Sequence, residues 1–153
     1  AKQVLEDAIG GPVKGYRAAT YSVTKDSLWA LEILQELGFA YDSSIFPIRH
    51  DRYGIPDAPR FPYRPGAGPM LEVPITTVEF LGKRLPAGGG GWFRLLPYGV
   101  FSAALRRVNE RDGQAGVFYC HPWEIDPGQP RIGGLPLKSR FRHYTNLRTM
   151  EAR

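Results

Sequence analysis

Apolar positions in the first third of the chain recur with helical spacing in two stretches, separated by glycine, proline and short extended runs. Val4, Leu5, Ala8 and Ile9 share one face of a helix over residues 1–9, which Gly10-Gly11-Pro12 stops. The chain opens inside this helix without an N-capping residue, which carries the expectation of sequence upstream. Residues 13–19 predict a short strand that ends in the turn-prone Thr20-Tyr21-Ser22. The clearest helix spans residues 25–37. Thr24 is its N-cap, Leu28, Leu31, Leu34 and Leu37 are its expected buried face, and Gly38 is the C′ residue. Phe39-Ala40-Tyr41 follows at once as a strand, so this region predicts a β–α–β unit.

Beyond it the pattern loosens. Residues 43–69 form an aromatic, proline-rich excursion, and loops of that length inside a compact domain are usually functional. Residues 71–77 and 78–81 read as strands, and Pro86 with Gly88-Gly89-Gly90-Gly91 reads as a flexible loop. Pro97 opens a second amphipathic helix through Val100, Phe101, Ala104, Leu105 and Val108, ending near Asp112-Gly113. Residues 116–120 are continuously apolar. They predict a buried strand that delivers His121 at its end. No internal repeat is visible. Short strands alternating with helices predict an α/β fold, barrel-like or layered, with active residues at the C-terminal ends of strands. A chain of 153 residues fits a single domain over 1–153 and is short for a complete α/β barrel.

Composition narrows the classes. The hydrophobic and charged fractions, 42% and 23%, are those of an ordinary folded chain, which excludes wholesale disorder. The net charge of +5 raises the question of nucleic acid. Its basic residues gather only near the end, at Arg131, Lys138, Arg140, Arg142, Arg148 and Arg153, with no nucleic-acid-binding motif beside them. The expectation is a solvated basic surface and no nucleic-acid partner, and a basic rim also suits an anionic polysaccharide. One cysteine, Cys120, excludes an internal disulfide and fits a reducing compartment. No apolar run is long enough to span a membrane, and no signal-peptide pattern opens the chain, although a fragment says nothing of its parent's targeting between cytoplasm and periplasm.

Candidate chemistry is confined to a few places. Arg17 ends a short strand, where it either holds a catalytic carboxylate bidentately or makes an ordinary structural ion pair. His121, within Phe118-Tyr119-Cys120-His121-Pro122-Trp123-Glu124, is suited to acid–base work at neutral pH or is a hydrogen-bonded core histidine. Asp42 ends a strand and is placed to tune a histidine. His50, Asp51 and Tyr53 lie on the long loop, where they contact substrate or satisfy the loop's own backbone. His50, His121 and His143 are the three histidines, and no two have metal-ligand spacing. The glycine run lacks the Lys-Ser/Thr ending of a phosphate loop.

Taken in order, GYRAATYS, LGFAYDSSIFP, RHDRYGIPDAPRFPY, GGGGWFRLLPY and FYCHPWEIDPGQPR resemble the polysaccharide deacetylase family of carbohydrate esterases. The match is to the bacterial branch encoded with exopolysaccharide genes, and it covers nearly the whole chain. The resemblance implies the C-terminal portion of a distorted, incomplete (β/α) barrel. It implies a hydrolase that removes N-acetyl groups from a polysaccharide or oligosaccharide with a divalent metal, usually zinc. In that family an Asp and two His bind the metal and a second Asp acts as base, all upstream of the arginine motif. The chain is therefore expected to hold no metal alone and to be inactive in isolation. Its expected partners are the missing N-terminal half or another copy of itself. The resemblance further implies that Arg17 orients the base aspartate and that His121 is the general acid on the leaving amine. Asp42 would tune that histidine, although Ser-Ile-Phe replaces the family's Asp-Trp pattern. Trp92 and Trp123 stack against sugar rings or pack in the core. The competing readings are a non-catalytic carbohydrate-binding or assembly module and a basic interaction domain with no sugar role.

Overall fold

The structure, a computed structural model, describes residues 1–50 and 53–153. They form two compact units, Ala1–Pro74 and Ile75–Arg153. Each is mixed α/β in its elements, the sheets are small, and there is no closed barrel among the described residues.

In the first unit, α1 (Lys2–Ile9) ends where Gly10 turns left-handed at φ 66° and its N–H reaches the Glu6 carbonyl. The β–α–β unit is present. β1 (Gly15–Tyr16) and β2 (Tyr41–Asp42) pair in parallel, with α2 (Trp29–Glu36) between them in sequence. β3 (Leu71–Glu72) extends the sheet in parallel, so that Tyr16, Asp42 and Glu72 lie in one row at the C-terminal ends of the strands. α2 is shorter than residues 25–37. A 3₁₀ turn, Lys25–Ser27, precedes it, and there Thr24 and Ser27 cap one another reciprocally. Leu31 and Leu34 are buried, but Leu28 and Leu37 are 43% and 54% exposed. Residues spaced strictly by three fall about 60° short of a full turn each time, so four of them sweep half the helix surface. Leu31 and Leu34 join Val23, Phe39, Ile45 and Met70 in the core of this unit. Between β2 and β3 the chain forms no helix or strand among the described residues; Tyr63 bridges Glu72.

In the second unit, β4 (Thr77–Phe80) and β5 (Lys83–Pro86) form an antiparallel hairpin. Leu81 and Gly82 hold φ 48° and 72°, the left-handed pair that a tight two-residue turn demands. The expected strand over residues 71–77 is interrupted at Pro74, which has no N–H to give a ladder. The glycine run is not a flexible loop, and α3 (Gly90–Leu95) begins inside it. Tyr119 donates to the Gly88 carbonyl at 2.6 Å and Gly90 donates to the Tyr119 carbonyl at 2.7 Å. A Cβ on Gly88 would collide with the Val117 carbonyl, and one on Gly90 with the Glu124 carboxylate. These glycines are places where backbones meet closely.

α4 (Tyr98–Glu110) follows Pro97 as the pattern predicts and buries Phe101 and Val108. Phe93, Phe101 and Phe118 meet edge to face, with centroids 4.9 to 6.0 Å apart. Residues 116–120 do not make the expected buried strand. A single parallel bridge joins Tyr119 to Gly89, and Phe118 is 43% exposed. The segment is held at a few points, among them Val117 N–H on Thr76 Oγ1, so a run of apolar residues does not become a central strand. Two helices close the chain, α5 (Leu137–Tyr144) and α6 (Leu147–Met150), the latter burying Leu147 and Met150. Among the described residues no helix is long and apolar enough to cross a membrane.

Candidate functional site

His121 is delivered by a cap, not by a strand. It is the N-cap of the 3₁₀ turn Pro122–Ile125, and Pro122 supplies the fixed φ of the first helical position. Glu124, three residues on, folds back so that its Oε2 accepts from the His121 backbone N–H at 2.8 Å and lies 3.3 Å from His121 Nδ1. The other carboxylate oxygen, Oε1, accepts from Arg94 Nε at 3.2 Å and Nη2 at 3.0 Å. Arg94 and Glu124 are 1% and 2% exposed. A buried ion pair of this kind persists only when its remaining donors are satisfied. Arg94 meets that condition by donating to the carbonyls of Arg142, His143 and Thr145. The imidazole itself is nearly half exposed, at 43% of the side chain. Its Nε2 faces the Tyr119 hydroxyl at 2.5 Å. With Nδ1 engaged by a carboxylate, Nε2 is the nitrogen from which a proton can be exchanged with a ligand.

Trp123 is flanked by the same groups. His143 stacks on it at 4.4 Å and 13°, His121 at 5.3 Å and 23°, and the Arg94 guanidinium lies 5.4 Å from its centroid. Gln129 fastens this stack, receiving at Oε1 the contact of His143 Nε2 and donating from Nε2 to the Trp123 carbonyl. Trp123 is thus engaged with imidazoles, while Trp92, on α3, is 37% exposed.

Arg17 and Asp42 belong to the first unit. Arg17 follows β1, and its Nε and Nη2 donate to the backbone carbonyl and hydroxyl of Ser43, at 3.0 and 2.8 Å. Two residues of positive φ, Thr20 and Tyr21, sit just after it, a strained turn of the kind found at functional strand ends. Asp42 is wholly buried, and its Oδ1 accepts from the Ser44 hydroxyl at 2.6 Å. Its cross-strand partner is Glu72, also wholly buried, whose Oε1 accepts from the Ile45 N–H at 3.0 Å. Asp42 Oδ2 and Glu72 Oε2 are buried without a hydrogen-bond partner among the described residues. A single proton shared between the two carboxyls would satisfy both. Burial, then the hydrogen bond and the negative charge of Asp42, push the Glu72 carboxyl up to about 9. Burial and the same two carboxyls push Tyr63 up to about 12. The arrangement places Arg17, Asp42 and Glu72 at the C-terminal ends of the parallel strands, the end at which open α/β sheets carry their sites.

On the long loop, His50 stacks on Tyr53 at 3.9 Å and 9°, and Tyr53 on Phe46 at 6.2 Å. Asp51 lies outside the described residues. A divalent metal needs three or more ligands of the right kind, and among the described residues no such group of His, Cys, Asp or Glu is placed to hold one. Asp42 and Glu72 supply two carboxyls, both wholly buried, fewer than the ligands such a centre needs.

The family described as "Domain of unknown function (DUF3473)" has a model that matches residues 43–153, well over half of the chain. The chain belongs to that family. The match takes in Glu72, Trp92, Arg94, His121, Trp123 and Glu124, and begins just after Asp42. Searches among curated proteins and among solved structures return no match. Arg94, Glu72 and the anchoring role of Glu124 were missed by sequence reasoning. For Glu124 a signal existed, the three-residue spacing of a cap in His121-Pro122-Trp123-Glu124. For Arg94 and Glu72 none did, because only tertiary packing buries them.

Proposed function

We propose that this chain supplies the acid–base histidine and part of the sugar groove of a polysaccharide N-deacetylase, as the C-terminal portion of an incomplete (β/α) barrel. One observation carries the reading. The His121 side chain is nearly half exposed and meets the Tyr119 hydroxyl at Nε2, while its Nδ1 and backbone N–H are held by a buried carboxylate, itself held by a buried arginine. That is the arrangement of a general acid whose orientation is set in advance. Amide hydrolysis at an N-acetylated sugar needs such an acid, because an amine leaves only when protonated. In the proposed reaction His121 Nε2 gives its proton to the departing nitrogen, which takes the place of the Tyr119 hydroxyl. Glu124 keeps the imidazole in register through the contact at Nδ1 and the bond to the backbone N–H. Trp92 offers an aromatic face to a pyranose ring, and Arg17 lies at the strand end where the family resemblance puts the residue that orients the base. The metal chemistry would come from ligands that the resembled family carries upstream of its arginine motif.

The test is acetate release from N-acetylated oligosaccharides by the intact polypeptide that contains this chain. His121→Ala is expected to lower kcat by about 10² to 10⁴ with metal content unchanged. Unaltered turnover in a folded His121→Ala protein would return the histidine to a structural role and favour a non-catalytic carbohydrate-binding module.

A further inference from the structure

The chain's net charge of +5 is not spread along it. Residues 131–153 hold Arg131, Lys138, Arg140, Arg142, Arg148 and Arg153 against Glu151 alone, so residues 1–130 are neutral overall. Arg153 is turned inward, donating to the carbonyls of Phe93, Arg94 and Leu96. Lys138, Arg140, Arg142 and Arg148 are exposed, and among the described residues none of them is in a salt bridge. Like charges gathered without counter-charges repel one another and do nothing for the fold, and an anionic partner relieves that repulsion.

α5 carries three of these charges and packs beside the histidine site. His143 stacks on Trp123, and the carbonyls of Arg142, His143 and Thr145 accept from Arg94. Two shallow hollows lie along this segment. One of about 350 Å³ is lined by Leu137, Arg140, Phe141, Tyr144 and Thr145. A second of about 200 Å³ has Arg131, Ile132, Leu135, Arg140 and Tyr144 among its lining residues. Arg140 and Tyr144 line both. The Tyr144 ring is fixed by the Arg131 guanidinium 4.2 Å from its centroid, and by its hydroxyl, which accepts from Ile132 N–H at 2.9 Å and donates to the Pro130 carbonyl at 3.2 Å. Each hollow therefore joins a guanidinium, the natural clamp for an anionic group, to an apolar or aromatic wall that suits the face of a sugar ring. Discrete hollows with a shared arginine fit successive rings of a polymer better than they fit a planar bilayer.

We propose that this face binds an acidic polysaccharide, one whose rings carry carboxylate or ester-linked anionic groups. That the bound polymer is also the substrate presented to His121 rests on the proposed function; the binding itself does not.

The experiment titrates the full chain with an oligogalacturonate, a sulfated oligosaccharide, a neutral chitooligosaccharide of equal length and vesicles rich in phosphatidylserine. The anionic oligosaccharides are expected to bind, and to weaken at least about tenfold as added salt shortens the screening length from about 10 Å to about 3 Å. Arg131→Gln combined with Arg140→Gln is expected to weaken them at least about tenfold again, while Arg106→Gln on α4 leaves them unchanged. A preference between carboxylate and sulfate names the anionic group, and equal binding makes charge alone the determinant; both support the site. Equal affinity for the neutral oligomer, indifference to the double substitution, or tighter binding to vesicles than to any oligosaccharide overturns it. Binding without deacetylase activity in the intact protein would leave this site standing while the proposed function falls. Activity without binding would do the reverse.

Discussion

Replacing Glu72 by glutamine isolates the buried acid pair. Glu72 ends β3 without exposed surface, and its place beside Asp42 holds its proton to about 9. In the unfolded chain the same carboxyl ionises near 4.5. Between those values the unfolded state has shed a proton that the folded state keeps. The contribution of Glu72 to stability is therefore full below about pH 4.5 and declines by up to about 1.4 kcal/mol per pH unit until the folded group ionises near 9. At pH 7 the loss is on the order of 3 kcal/mol. Glutamine keeps an acceptor for Ile45 N–H and sets an amide N–H where the shared proton would lie, with nothing to ionise. Urea unfolding at pH values from about 4.5 to about 8 reads the difference. Wild type and Glu72→Gln are expected to match at the acid end, with the variant ahead by on the order of 3 kcal/mol at pH 7. A variant less stable than wild type at neutral pH, or a difference that does not grow with pH, would refute the shared proton.

Other substitutions probe the second unit. Arg94→Met strands the Glu124 carboxylate in the interior and is expected to cost about 3 to 5 kcal/mol in urea unfolding, most of it recovered when Glu124→Gln is added. Gly90→Ala drives a Cβ into Glu124 and is expected to lower stability by about 1 to 3 kcal/mol. Gly91→Ala on the same helix meets nothing within 4 Å and should raise stability by about 0.5 to 1 kcal/mol, so thermal melting should move the two variants in opposite directions. Leu81→Asn is expected to raise the melting temperature by a few degrees, since Leu81 is 86% exposed and holds a left-handed φ that asparagine tolerates better.

The parts of the fold that could be read from the sequence are those set by local chemistry. Gly10 and Gly38 stop their helices in left-handed conformations, Thr24 caps the turn before α2, and Pro97 opens α4. Where local signals conflict with packing, reading failed. Four leucines spaced by three look like one face and are not. Residues 116–120 look like a central strand, yet the backbones beside them are Gly88–Gly90 and Thr76, which hold them at single points. The glycine run has the composition of a loose linker, but Gly88 and Gly90 are small because a carbonyl and a carboxylate pass against them. The same divide runs through the candidate site. His121 is legible because a histidine before proline in an apolar run is conspicuous. Arg94 is invisible in sequence, because an arginine in a short helix is ordinarily solvated and only the folded chain reveals five donors all spoken for. Glu72 is invisible for the same reason, since its register opposite Asp42 depends on the parallel pairing of β2 with β3.

The claim that His121 protonates the leaving nitrogen is tested most directly by varying the leaving group. The intact protein and its His121→Ala variant, shown to be folded by circular dichroism, are compared on an N-acetylated oligosaccharide and on p-nitrophenyl acetate. The phenolate of the ester departs without a proton, whereas the sugar amine cannot. The account predicts a fall of about 10² to 10⁴ in kcat/KM on the amide and a far smaller fall on the ester. An equal loss on both substrates, or no loss on the amide, would contradict it.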